Sequence, residues 1–102
     1  MHPKFILVSD PATPLEGTFV YGMVSQHKDL LRGYGKVHGG GWYDRDDVRK
    51  TMTLYGSSGD YGDPRLAFLN RIPRELEGYA FFWSPGPGLP GNELDLSDVE
   101  WI

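Results

Sequence analysis

Near the start of the chain Phe5-Ile6-Leu7-Val8 sets four apolar strand formers in a row, which predicts a strand buried on both faces. Ser9-Asp10-Pro11-Ala12-Thr13-Pro14 stops it with turn chemistry. From Thr18 to Val24 the positions alternate. Phe19, Tyr21 and Met23 share one face and Val20, Gly22 and Val24 the other, the period of a second strand. Ser25-Gln26-His27-Lys28-Asp29-Leu30-Leu31-Arg32 predicts one or two helical turns capped by Ser25 and closed by Gly33.

Residues 36–44 and 50–55 predict a hairpin joined by Arg45-Asp46-Asp47-Val48-Arg49, with Met52 and Leu54 pointing to one side of the second arm. Further on, Asp63-Pro64 supplies an N-cap and a favoured first helical residue. Leu66, Phe68, Leu69 and Ile72 then give a main helix over residues 64–72 its apolar face, and Pro73 ends or kinks it. Tyr79-Ala80-Phe81-Phe82-Trp83 is apolar on both faces and predicts a further central strand.

This order predicts a single α+β domain over residues 1–84, a mostly antiparallel sheet of four to six strands with one main helix packed on one face. Its core should include Phe5, Leu7, Phe19, Tyr21, Met52, Leu54, Phe81 and Trp83, with Leu66 and Leu69 packing from the helix. Residues 85–91 are a Pro/Gly linker. Residues 92–102 form an acidic segment expected to dock on the core or on a partner through Leu94, Leu96 and Trp101.

Composition narrows the function classes. The 102 residues suit one small domain, and 14% aromatics supply a core of that size. The net charge of −4 lacks the basic footprint of a nucleic-acid binder, so no nucleic-acid partner is expected. Residues 1–74 carry all 10 bases and 8 acids, whereas residues 75–102 carry 6 acids and no base. Without cysteine there is no disulfide framework, thiolate nucleophile or Cys-ligated zinc. The four-residue apolar run near the start is too short for a signal peptide, and no stretch approaches a membrane span. The expectation is a soluble cytoplasmic protein with no membrane partner.

Four constellations carry candidate chemistry. In Val37-His38-Gly39-Gly40-Gly41-Trp42-Tyr43, period-two geometry puts His38, Gly40 and Trp42 on one face, a ligand groove with a glycine floor between an imidazole and an indole. The same glycines equally suit bulky neighbours packed over them, or a bulge. The second is Tyr55-Gly56-Ser57-Ser58-Gly59-Asp60-Tyr61-Gly62-Asp63-Pro64-Arg65, which offers an anion site at a helix start or a plain turn, and its Gly56-Ser57-Ser58-Gly59 falls one residue short of a nucleophile elbow. The third is the histidines: they form no His-x-x-x-His pair, so neither a metal site nor a cofactor is expected. The fourth is the acidic tail, whose alternation suits an extra edge strand or a disordered arm that docks on a partner by strand addition.

His27-Lys28-Asp29-Leu30-Leu31, Gly39-Gly40-Gly41-Trp42 and Leu54-Tyr55-Gly56-Ser57-Ser58-Gly59-Asp60-Tyr61-Gly62 together resemble a family of small uncharacterised bacterial proteins carrying a domain of unknown function. The likeness covers residues 20–83. It implies a compact α+β domain and no reaction, cofactor or catalytic residue. With no complete catalytic motif, cysteine, metal cluster or basic patch, the leading functional expectation is a non-catalytic binding or protein-interaction module, with a protein partner and a weak homodimer in which residues 92–102 cross to a neighbour's sheet edge. The alternative is a small hydrolase using His38 with Ser57 or Asp60 around the glycine-rich strand.

Overall fold

A computed structural model describes residues 1–33 and 35–102. Eight strands form one sheet: β1 (His2–Ser9), β2 (Gly17–Val24), β3 (Lys36–Asp46), β4 (Thr51–Tyr55), β5 (Leu69–Ile72), β6 (Ala80–Trp83), β7 (Asn92–Glu93) and β8 (Glu100–Trp101). Their spatial order is β7-β6-β4-β3-β1-β2-β5-β8, and the sheet curls into a half-barrel. The centre is an antiparallel meander in which β1 pairs with both β2 and β3, and β3 with β4. Three outer pairings are parallel: β4 with β6, β2 with β5, and β5 with β8.

The α+β expectation fails here. Among the described residues no helix reaches seven residues, and the sheet has eight strands rather than four to six. The segment predicted as the main helix is a single 3₁₀ turn, Leu66–Phe68, that runs directly into β5. The expected apolar face breaks up, and Phe68 leaves the core to stack on His38. Leu66, Leu69 and Ile72 do face the core, yet they do so from a turn and a strand. The backbone partners come from far away in sequence, since Gly17 pairs with Leu69 and Thr18 with Arg71. Such non-local pairing overrides a local preference over so short a segment. Residues 27–30 likewise make only one 3₁₀ turn, capped by Gln26 rather than Ser25, with Asp29 Oδ2 accepting from the Gln26 N–H at 3.0 Å.

Two apolar clusters sandwich the sheet. The inner one holds Phe5, Leu7, Phe19, Tyr43, Met52, Leu54, Ile72, Leu76, Tyr79 and Phe81, with Tyr21, Trp83, Leu66 and Leu69 partly buried against it. The outer one is small: Ile6, Val8 and Leu30, flanked by Val20, Val24, Val37 and Tyr61. Both faces of β1 are therefore dry, as its unbroken Phe5-Ile6-Leu7-Val8 run requires. Residues 92–102 supply both outermost strands, β7 beside β6 and β8 beside β5. Leu94, Leu96 and Val99 lie between them and pack on the inner core. The tail thus straps the two rims of the half-barrel together.

Candidate functional site

The glycine-rich strand sits at the middle of the sheet and its geometry decides what the predicted groove can hold. Between the pairs Ile6↔Gly40 and Val8↔Val37 the β1–β3 register slips by one residue. Gly39 takes up the slip at φ +88°, a left-handed conformation suited to glycine. The bulge reverses the alternation. Gly40 and Trp42 pair with Ile6 and Lys4 on the outer face, whereas His38 faces inward. His38, Gly40 and Trp42 do not share one face.

His38 is buried, with its ring stacked on Phe68 at 4.4 Å between centroids. Its Nε2 lies 3.0 Å from Ser9 Oγ. Burial, then the charges of Lys36 and Arg65, push its pKa below the usual histidine value, and only the Pro14 carbonyl opposes them. Ser9 Oγ–H therefore donates to a neutral imidazole. Ser57 and Asp60 lie on the surface in the loop after β4. Neither of them hydrogen-bonds to His38 through its side chain among the described residues.

The glycine floor is covered by the chain itself. Loop 57–65 crosses it, with Ser58 N–H donating to the Gly40 carbonyl at 2.9 Å and Arg65 N–H to the His38 carbonyl at 2.8 Å. A Cβ at Gly39 would stand 1.9 Å from the Asp63 carbonyl oxygen. His27 closes the outer face over Gly40, and its Nε2–H donates to the Gly41 carbonyl at 2.8 Å. Trp42 is held edge-on by the His27 ring at 5.3 Å, with Lys4 Nζ 4.6 Å above the indole. What remains is a shallow pocket of 280 Å³ bordered by Lys4, Gln26, His27, Trp42, Gly59 and Asp60. His27 and Lys4 join this cluster without any spacing signal in the sequence, because a 3₁₀ turn 15 residues before Trp42 and a strand 38 residues before it bring them in.

A larger depression of 660 Å³ lies over the β3–β4 turn and residues 89–91. Two of its rim carboxylates are matched within the rim, Asp47 by Arg45 and Asp46 by Arg49. Asp47 Oδ1 accepts from Tyr79 Oη at 2.5 Å and from Arg45 Nε at 2.6 Å, and those two bonds, the tyrosine's first, hold its carboxyl below the ordinary range. Among the described residues no group of three His, Asp or Glu side chains is placed to hold a metal.

The tail residues marked for partner docking are committed elsewhere. Leu94, Leu96 and Trp101 pack on the chain's own inner core, and Arg74 donates to the Trp101 carbonyl at 3.0 Å. An unsatisfied edge exists instead on β2. β5 pairs only with Gly17 and Thr18, so among the described residues Phe19 to Val24 have no partner strand but β1. Met23 on this stretch is 56% exposed, and a 300 Å³ pocket lined by Phe19, Tyr21, Arg32, Pro73, Glu75 and Ile102 marks its start. The signal was present in the sequence: Val20-Tyr21-Gly22-Met23-Val24 carries no charge and no proline. No helix among the described residues is long and apolar enough to cross a membrane. The chain matches no known family model, and no curated protein or solved structure is significantly similar to it.

Proposed function

We propose that this protein is a non-catalytic interaction module that binds through the open side of β2. One observation carries the reading: among the described residues the uncharged stretch of β2 beyond Thr18 has no strand on its open side, while both outermost strands are two residues long and acidic. Strand addition to such an edge gives affinity through main-chain hydrogen bonds, with the alternate side chains setting specificity. The hydrolase alternative has less support. His38 is engaged by Ser9 and stacked under Phe68, and Ser57 stands exposed on another element. A nucleophile and base need hydrogen-bond reach. Screening the purified chain against ester and phosphomonoester substrates should give no turnover above buffer. Turnover that His38→Ala or Ser57→Ala abolishes would overturn the proposal.

A further inference from the structure

The β2 edge has a geometry that selects its occupant. The Phe5 carbonyl lies against Gly40 on β3, so Phe5 directs its backbone groups to β3, and Lys4 and Ile6 direct theirs to β2. Lys4 pairs with Gly22 and Ile6 with Val20. The N–H and C=O of Gly22 and Val20 are therefore used within the chain. Those of Tyr21 and Met23 face outward, because alternate residues of a strand bond to opposite sides. Pro3 fits the same phase, since it sits opposite Met23, where no N–H is required toward β2. Among the described residues no turn or loop backbone group bonds to Tyr21 or Met23.

Resting on the interaction-module reading, we infer that the occupant is a second copy of this chain, joined by antiparallel β2–β2 pairing about a two-fold axis through Gly22. In that register Tyr21 of each copy lies opposite Met23 of the other. The four N–H groups of Tyr21 and Met23 in the pair then meet the four carbonyls of the same residues, while Phe19 falls opposite Ser25 of the second copy at the end of the ladder. Gly22 falls on the axis as a non-hydrogen-bonded pair, where Cα atoms approach to about 4.5 Å and side chains crowd most. Glycine removes that crowding. On the inner face the exposed Met23 packs on the second copy's Tyr21, and on the outer face Val20 meets Val24. The neighbouring register, centred on Tyr21, would instead set Met23 against Phe19, which borders the β5 pairing. Two-fold pairing is self-complementary, so it closes at two copies and covers Val20 to Val24 in both. The 300 Å³ pocket beside Thr18 and Phe19 gives room where the second copy's chain leaves its own β2.

The contact is one short strand per copy, well below the roughly 800 Å² per partner of a standard interface, so the dimer should be weak and reversible. Sedimentation velocity on the full chain should show the average mass rising toward twice the monomer between about 10 µM and 1 mM. Met23→Pro deletes the outward N–H while sparing the β1 ladder, a substitution that edge strands tolerate. It should leave the melting temperature at low concentration unchanged and raise the dissociation constant at least about tenfold. The chain has no cysteine, which allows a register test. Gly22→Cys, whose Cβ meets only Leu30 at 3.4 Å, should oxidise to a covalent dimer far faster than Val48→Cys, which is 94% exposed. A wild-type chain that stays monomeric throughout would overturn the inference. So would a dimer that survives Met23→Pro, or equal crosslinking at the two cysteines. None of these outcomes involves turnover, so the substrate screen judges the interaction-module reading separately.

Discussion

Ser9 Oγ and His38 Nε2 stand 3.0 Å apart inside the half-barrel, where the β3 bulge turns the imidazole inward. The burial of this imidazole ties stability to pH. Burial and the nearby Lys36 and Arg65 charges depress the native pKa of His38 below 6.5, so in the window between them the unfolded chain binds more protons. Stability is fully present above about pH 6.5 and is lost as pH falls toward the native value. Urea midpoints should fall between about pH 7 and pH 5, and His38→Gln should flatten that slope. Parallel slopes for both proteins would place the titration elsewhere.

Gly39 and Gly59 predict opposite outcomes for the same substitution. Gly39 combines φ +88° with a Cβ position 1.9 Å from the Asp63 carbonyl oxygen, a backbone atom that cannot step aside. Gly39→Ala should cost about 2–4 kcal/mol, from left-handed strain plus displacement of loop 57–65. At Gly59 a Cβ would meet nothing within 4 Å, and Gly59→Ala should change stability by no more than about 0.5 kcal/mol. Chemical denaturation of the two variants side by side checks both.

The contrast between the two ends of β3 shows how far the sequence could be read. The hairpin 36–55 was legible because both arms and the charged connection are local, and Met52 and Leu54 do face the core. Strands over Phe5-Ile6-Leu7-Val8 and Thr18 to Val24 show in their own side-chain patterns, as do the inner core residues they contribute; the central strand expected over Tyr79 to Trp83 is β6, Ala80–Trp83, which stands next to the outermost β7. The helix over 64–72 was not there. A three-residue apolar spacing also fits a 3₁₀ turn followed by a strand, and only the distant edge of β2 decides between them. At the candidate site, strict alternation put His38 beside Gly40 and Trp42. One bulged glycine separates them, and three glycines in a row do not say which one bulges.

Tyr21 gives a signal at the alkaline end. Burial, then the hydrogen bond to Glu75 and its charge, raise the phenol to about 12, above its ordinary 10.0. The folded chain therefore holds a proton that the unfolded chain releases between those values. Stability should be intact below about pH 10 and decline as pH rises through the native value. Ultraviolet titration should show a late phenolate step that Tyr21→Phe removes and Glu75→Gln moves to lower pH. An unchanged titration curve in Tyr21→Phe would assign that step to another tyrosine.

The tail strap sets the last expectation. Residues 92–102 furnish β7 and β8 on opposite rims and lay Leu94, Leu96 and Val99 over the inner core. Trp101 is partly buried there and pairs with Ile72, whose carbonyl accepts from the Ile102 N–H at 2.9 Å. Trp101→Ala should cost about 2 kcal/mol, less than a fully buried indole would. Deleting residues 92–102 removes both rim strands at once and exposes β6 and β5 as edges. The melting temperature should fall by more than in Trp101→Ala, and light scattering should report aggregation on heating, since β6 (Ala80–Trp83) is uncharged and aromatic. The two effects separate the contributions. If the strap acts only through its indole, the deletion and Trp101→Ala will melt together; if it acts as an edge cover, the deletion alone will aggregate.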